Sequence, residues 1–99
     1  MRQICHDVLV GLDYLQQLSI IHTDLKPQNI LLLTENSSDS LCRLIEFGKA
    51  CGAGEECDNV IQQREYRCPE VILGFKYSTA ADLWSFACIA FELATGNSL

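Results

Sequence analysis

At 99 residues with 48% apolar side chains, the chain has room for one small folded domain and no more. Its 13 acidic residues against 7 basic ones leave a net charge of -6, which disfavours nonspecific binding to nucleic acid and favours a basic partner. The strongest apolar stretch, residues 83–93, is broken by Ser85 and Glu92 and is too short to cross a bilayer, so no membrane association is expected. Six cysteines raise the question of a secreted disulfide scaffold, but the first residues show no basic segment leading into an apolar core. Reduced thiols inside the cell, in cytoplasm or nucleus, are the expectation, with Cys51 and Cys57 as two free loop thiols. No Cys-x-x-Cys pair occurs, and His6 and His22 stand far from paired cysteines, which argues against a zinc module.

In chain order, Ile4, Val8, Leu12, Leu15 and Leu18 follow the three-and-four spacing of an amphipathic helix and predict one over residues 2–18. Ile20-Ile21 is a short β-branched run. The runs 30–33 and 41–45 flank the turn-forming residues 35–40 and predict a small hairpin. Residues 48–59 hold three glycines and four charges without periodicity, which reads as an irregular exposed loop. Pro69 suits the first turn of a short helix through Leu73, because its missing N–H needs no partner there. Ser78 or Thr79 then caps a long helix from Ala80 to Thr95, stopped by Gly96. That helix is apolar on nearly every side, so Trp84 and Phe91 are expected in a core, and further chain is expected on both sides to cover it.

The chemistry concentrates in His22-Thr23-Asp24-Leu25-Lys26-Pro27-Gln28-Asn29. Phosphoryl transfer needs an oriented hydroxyl, neutralised charge and a held metal ion, and this loop presents a carboxylate, a cation and an amide at close spacing. Asp24 would accept the hydrogen bond of the acceptor hydroxyl, Lys26 would stabilise the γ-phosphate of ATP, and Asn29 would ligate magnesium.

These residues resemble the H-R-D-L-K-x-x-N catalytic loop of eukaryotic protein kinases, with Thr23 where arginine usually stands. Later landmarks resemble the family in order: Glu46-Phe47-Gly48 at the place of D-F-G, Cys68-Pro69-Glu70 at the place of A-P-E, and Asp82-Leu83-Trp84-Ser85 like the start of its central helix. The resemblance implies an α+β, mainly helical part of the carboxy-terminal lobe spanning residues 1–99. Its parts would be catalytic loop 22–29, metal motif 46–48, activation segment 46–70 and central helix 80–95. It implies ATP and Mg²⁺ as cofactors, Asn29 and Glu46 as metal ligands, and Lys26 with these two as the ATP-facing set. It further implies Arg64 and Tyr66 as substrate contacts, and His22, Glu70 and Asp82 as structural braces.

Within the kinases, residues 22–24, 48–51, 63–67 and 91–96 look like the SR-protein-specific group. That likeness implies a serine/threonine kinase acting on basic, arginine/serine-rich proteins, with the acidic balance in agreement. Two departures qualify it. Glu46 stands where the family has aspartate, and displacing a ligand by about an ångström can cost on the order of a hundredfold in rate. No glycine-rich loop or V-A-I-K lysine occurs, so this chain alone is expected to be inactive without an amino-terminal lobe. A catalytically impaired pseudokinase or interaction fragment is the alternative. Finally, from Gly48 to Glu70 there is no serine or threonine, and Tyr66 is the one hydroxyl. Kinases in which a loop phosphate pairs with the H-R-D arginine need both groups, so control by loop phosphorylation is not expected here.

Overall fold

The structure, a computed structural model, describes residues 2–32, 42–55 and 57–96. Helix α1 (Arg2–Gln17) forms because its apolar residues fall on one stripe, of which Val8 and Leu15 are buried. Leu18, expected at the end of that stripe, is exposed instead. The helix stops one residue earlier: Ser19 adopts a left-handed φ of 56° and turns the chain into β1 (Ile20–Ile21).

Pro27 opens a single 3-10 turn, Pro27–Asn29, which leads into β2 (Ile30–Leu32). The predicted hairpin is present, with β2 antiparallel to β3 (Cys42–Leu44) in the register Ile30↔Leu44 and Leu31↔Arg43. Its expected turn at residues 35–40 lies outside the described residues. The hairpin sits close on α1, where a Cβ added at Gly11 would come 3.3 Å from Leu44 Cδ1.

The described residues of the stretch 48–59 are more ordered than its composition predicts. Strand β4 (Cys51–Gly52) pairs antiparallel with β1, Ile20↔Gly52 and Ile21↔Cys51. The chain then turns back, with the Glu55 N–H on the Gly52 carbonyl at 3.0 Å, and this return bonds Cys57 to Cys51. The two loop thiols expected to be free are thus a disulfide, because the turn brings their Cα atoms to 5.9 Å, inside bridging range. Closing so short a loop restricts the unfolded chain by about 2 kcal/mol. Reduction is expected to lower the urea-unfolding free energy by about that amount, with a Cys51→Ala/Cys57→Ala variant insensitive to the reductant.

A second 3-10 turn (Arg64–Tyr66) precedes α2 (Pro69–Ile72) and α3 (Ala80–Thr95). The Thr79 side chain makes no capping bond; the Ser78 and Thr79 carbonyls accept the N–H groups of Ala81 and Asp82 instead. Gly96 closes α3 in the left-handed conformation, φ 76°, where a side chain would be strained, and its N–H returns to the Glu92 carbonyl.

Two apolar clusters form among the described residues. Ile21, Ile61, Cys68, Val71 and Ala81 make one; Val8, Leu25 and Ile89 make the other, with Ile4, Leu12, Ile30 and Leu44 against it. Ile21 and Leu25 are almost wholly buried, one in each cluster, so the loop between them is pinned on both sides. Each such side chain contributes roughly 1.5–3 kcal/mol of burial. Helix α3 turns Ala81, Asp82, Ser85, Cys88 and Ile89 inward. Trp84 and Phe91, expected in a core, lie on its other face and are about two-fifths exposed, alongside Leu83 and Leu93. An evenly apolar helix carries no signal for which face will be covered. None of the described helices is long and apolar enough to cross a membrane.

Candidate active site

The loop 22–29 carries its own polar residues but is held from a distance. Asp82, in the first turn of α3 and 2% exposed, accepts the His22 N–H at 2.7 Å on one carboxylate oxygen and the Thr23 N–H at 3.1 Å on the other. Burial raises its pKa above the ordinary carboxyl value, and these two N–H bonds offset only part of that rise.

His22 is fully buried and bonded through both ring nitrogens. Nδ1 accepts the Asp24 N–H at 3.2 Å, so Nε2 carries the proton and donates it to the Ile45 carbonyl at 2.8 Å. The ring also meets Phe47 edge-on, centroids 4.7 Å apart. One imidazole thereby ties the catalytic-loop main chain to residues 45–47.

Asp24, Lys26 and Asn29 come together. Asn29 Nδ2 donates to the Asp24 carbonyl at 2.7 Å and stands 3.5 Å from Asp24 Oδ2, while Lys26 Nζ lies 3.9 Å from that oxygen. Asn29 is buried, yet Asp24 and Lys26 keep part of their side chains in solvent. The Asn29 carbonyl accepts the Ile45 N–H at 2.9 Å, which brings Glu46 to within one residue of this contact. Glu46 itself is exposed and holds a left-handed φ of 63°, a conformation that costs energy for any residue with a Cβ.

The donor set suits a hard cation. Asn29 spends its amide N–H on Asp24 and retains Oδ1 as an acceptor, and Glu46 offers a carboxylate; both are oxygen ligands of the kind magnesium takes together with phosphate and water. Among the described residues no three His, Cys, Asp or Glu side chains are grouped to hold a metal. A metal ion here would therefore rely on phosphate oxygens to complete its shell.

The expected substrate contacts diverge. Arg64 is exposed at the start of its 3-10 turn, whereas the Tyr66 hydroxyl points to α3 and donates to Glu92 at 2.7 Å. Burial and this carboxylate push the Tyr66 phenol well above its ordinary pKa. Glu70 sits half-buried in the first turn of α2, and its carbonyl accepts the Phe75 N–H, closing the chain after that helix.

Gln62 had no sequence signal, yet it organises this segment. At φ 71° and 8% exposed, it donates from Nε2 to the Ala81 carbonyl and Ser85 Oγ, and accepts the Cys68 N–H on Oε1. Arg67 then clasps the carbonyls of Ile61 and Gln62, at 3.0 and 2.8 Å. The result is a small cleft of about 80 Å³, lined by Thr23, Asp24, Lys49, Asp58, Ile61 and Gln62 among others. A larger hollow, about 650 Å³ between residues 54–59 and 74–77, contains none of the catalytic-loop residues. Of the loop 22–29, Thr23 and Asp24 line the smaller cleft, with Lys49 and Gln62 beside them.

The loop is braced by a buried aspartate in the first turn of α3 and is followed by a strand, a turn and an extended segment, the order of parts that the sequence landmarks led one to expect of a protein kinase. The protein kinase domain family matches residues 1–99, and the chain belongs to that family. Over 98 residues it is 46% identical to a dual specificity tyrosine-phosphorylation-regulated kinase 3 of Rattus norvegicus, covering 99% of this chain and 16% of the relative. A dual specificity protein kinase YAK1 homolog of Arabidopsis thaliana is 47% identical over 92 residues, 93% of this chain and 10% of the relative. A probable serine/threonine-protein kinase dyrk2 of Dictyostelium discoideum is 45% identical over 98 residues, again 99% of this chain and 10% of the relative. The chain therefore spans about a sixth or less of the length of these relatives.

This likeness overturns the SR-protein-specific assignment, and with it arginine/serine-rich proteins as the substrates and partners. That assignment rested on four short stretches and on the acidic balance. Net charge is a bulk property that attracts any cation and selects no group of kinases. Identity across essentially the whole chain outweighs both.

Proposed function

We propose that the chain supplies the catalytic loop and substrate-facing segment of an ATP-dependent protein kinase, one that transfers the γ-phosphoryl group to serine or threonine hydroxyls. The dual specificity in the names of the Rattus norvegicus and Arabidopsis thaliana relatives supports tyrosine as a further acceptor. The observation that carries the reading is Asp24, whose main chain is fixed by His22 and Asn29 and whose carboxylate stays accessible beside Lys26. In this reading Asp24 orients the acceptor hydroxyl and takes its proton as the bond to phosphorus forms. Lys26 neutralises charge on the transferred group, and Asn29 holds its amide oxygen towards the phosphates. Magnesium, held by Asn29 and Glu46, would supply charge neutralisation for the phosphate oxygens. The work belongs inside the cell, where ATP is found.

The test is magnesium-dependent transfer of labelled phosphate from ATP to a mixed serine, threonine and tyrosine peptide set by the full-length protein. Transfer that disappears in Asp24→Asn supports the reading; an intact, ATP-binding full-length protein that transfers nothing overturns it.

Glu46 favours a second reading in which transfer is impaired. Its extra methylene moves the carboxylate from where an aspartate on the same backbone would place it. Glu46→Asp is then expected to raise kcat, by up to about a hundredfold, with the peptide KM unchanged. An unchanged or lower kcat would show that the site is built around glutamate.

A further inference from the structure

Residues 49–53 are where the activation segment leaves the metal-motif position, and the structure fastens them to the chain around the catalytic loop. Ile20 and Ile21 pair with Gly52 and Cys51, and the Ala53 N–H donates to the Ser19 carbonyl at 2.7 Å. The strand pairing ends at Ile21, and the next attachment is made by a side chain. Thr23 Oγ1 donates to the Lys49 carbonyl at 3.0 Å.

The conformation of Thr23 is costly. Its φ is 76°, an uncommon value for a β-branched residue, and it is 2% exposed, with its own N–H on Asp82. A buried hydroxyl in a strained backbone persists where its bond over-determines the geometry. Between residues 48 and 70 the chain offers no serine or threonine, and its tyrosine hydroxyl, on Tyr66, is already bonded to Glu92. The names of the relatives carry regulation by tyrosine phosphorylation; this segment has no free hydroxyl to receive it.

We propose that Thr23 is a positioning residue whose hydroxyl latches the activation segment to the catalytic loop, setting that segment in working register without a phosphate on it. The latch sits beside Asp24 at one end and two residues before Cys51 at the other. Its loss frees the lining of the Asp24 cleft rather than any group that reacts. The rate consequence rests on the kinase reading above; the mechanical consequence does not.

The test uses the full-length protein under reducing conditions, so that the Cys51–Cys57 bridge does not mask the latch. Thr23→Val keeps the branched shape and removes the donor, and Thr23→Ser restores the donor. In Thr23→Val, amide exchange at Ala50 and Ala53 is expected to quicken on the order of tenfold, as for one lost buried hydrogen bond. Peptide kcat should fall by a similar factor with the ATP KM unchanged, and Thr23→Ser should recover both. Wild-type activity should survive phosphatase treatment, with no phosphate mapped between residues 48 and 70. Unchanged exchange in Thr23→Val, no recovery in Thr23→Ser, or activity lost on removing a phosphate from Tyr66 would each overturn the latch. A wild type that transfers no phosphate would defeat the kinase reading alone, because the exchange comparison still decides the latch.

Discussion

Asp24→Asn is expected to lower phosphate transfer by on the order of 10²–10⁴-fold while leaving the unfolding free energy within about 0.5 kcal/mol of wild type. The two effects separate because of how Asp24 is held. Its N–H goes to His22 and its carbonyl accepts from Asn29, so the main chain keeps its path without the carboxylate. The side chain reaches only weaker neighbours, Asn29 Nδ2 at 3.5 Å and Lys26 Nζ at 3.9 Å. Asparagine retains one oxygen acceptor but cannot take a proton, which removes the base and spares the frame. Rates measured under single-turnover conditions isolate the chemical step. An unchanged rate would sink the assignment of Asp24 as the base.

Asp82→Ala carries the opposite signature: a loss of about 3–5 kcal/mol in stability, with activity lost because the loop is lost. The carboxylate satisfies two buried main-chain N–H groups, and truncation leaves both without a partner in a site water does not reach. A domain has only about 5–15 kcal/mol in hand, so this one change approaches global unfolding. Asp82→Asn keeps one acceptor and should lose roughly 2 kcal/mol, readable as a lower urea midpoint at unchanged slope.

The pH dependence of the same group has a definite sign. Burial raises the Asp82 carboxyl above its ordinary 3.8 despite the His22 and Thr23 bonds. The folded chain therefore binds this proton before the unfolded chain does. The proton-linked part of its contribution is fully present below pH 3.8 and is lost as pH rises through the native value, while the two N–H bonds remain. The stability gap between wild type and Asp82→Asn should accordingly widen as the solution is acidified through that window.

Much of the frame was legible because it rests on local signals. The Ile4, Val8, Leu12, Leu15 stripe, Pro69 at a helix start and Gly96 at a helix end each act within a few residues. The protein kinase family was legible too, because its landmarks are short runs in a given order. What escaped depends on residues far apart. Strands β1 and β4 are two residues each, too short to show a period, and their pairing is what lets Cys57 reach Cys51. Gln62 looks like any polar loop residue until Ala81, Ser85 and Cys68 surround it. The kinase group was misread for a related reason: short stretches resembled one group while the whole chain follows another.

The bond from Asp82 to His22 and Thr23 spans about sixty positions, and it gives the chain a direction in time. A ribosome delivers Asp24, Lys26 and Asn29 long before it delivers the aspartate that holds their loop. At about 5–20 residues per second, the loop waits several seconds for its anchor. Until α3 emerges, His22 and Thr23 have no buried carboxylate to bind, and Leu25 has no Ile89 to pack against. The shape of this loop is therefore a late event of synthesis, conferred from the carboxyl side, and a nascent chain halted before residue 82 carries Asp24, Lys26 and Asn29 in a segment that still lacks its anchor.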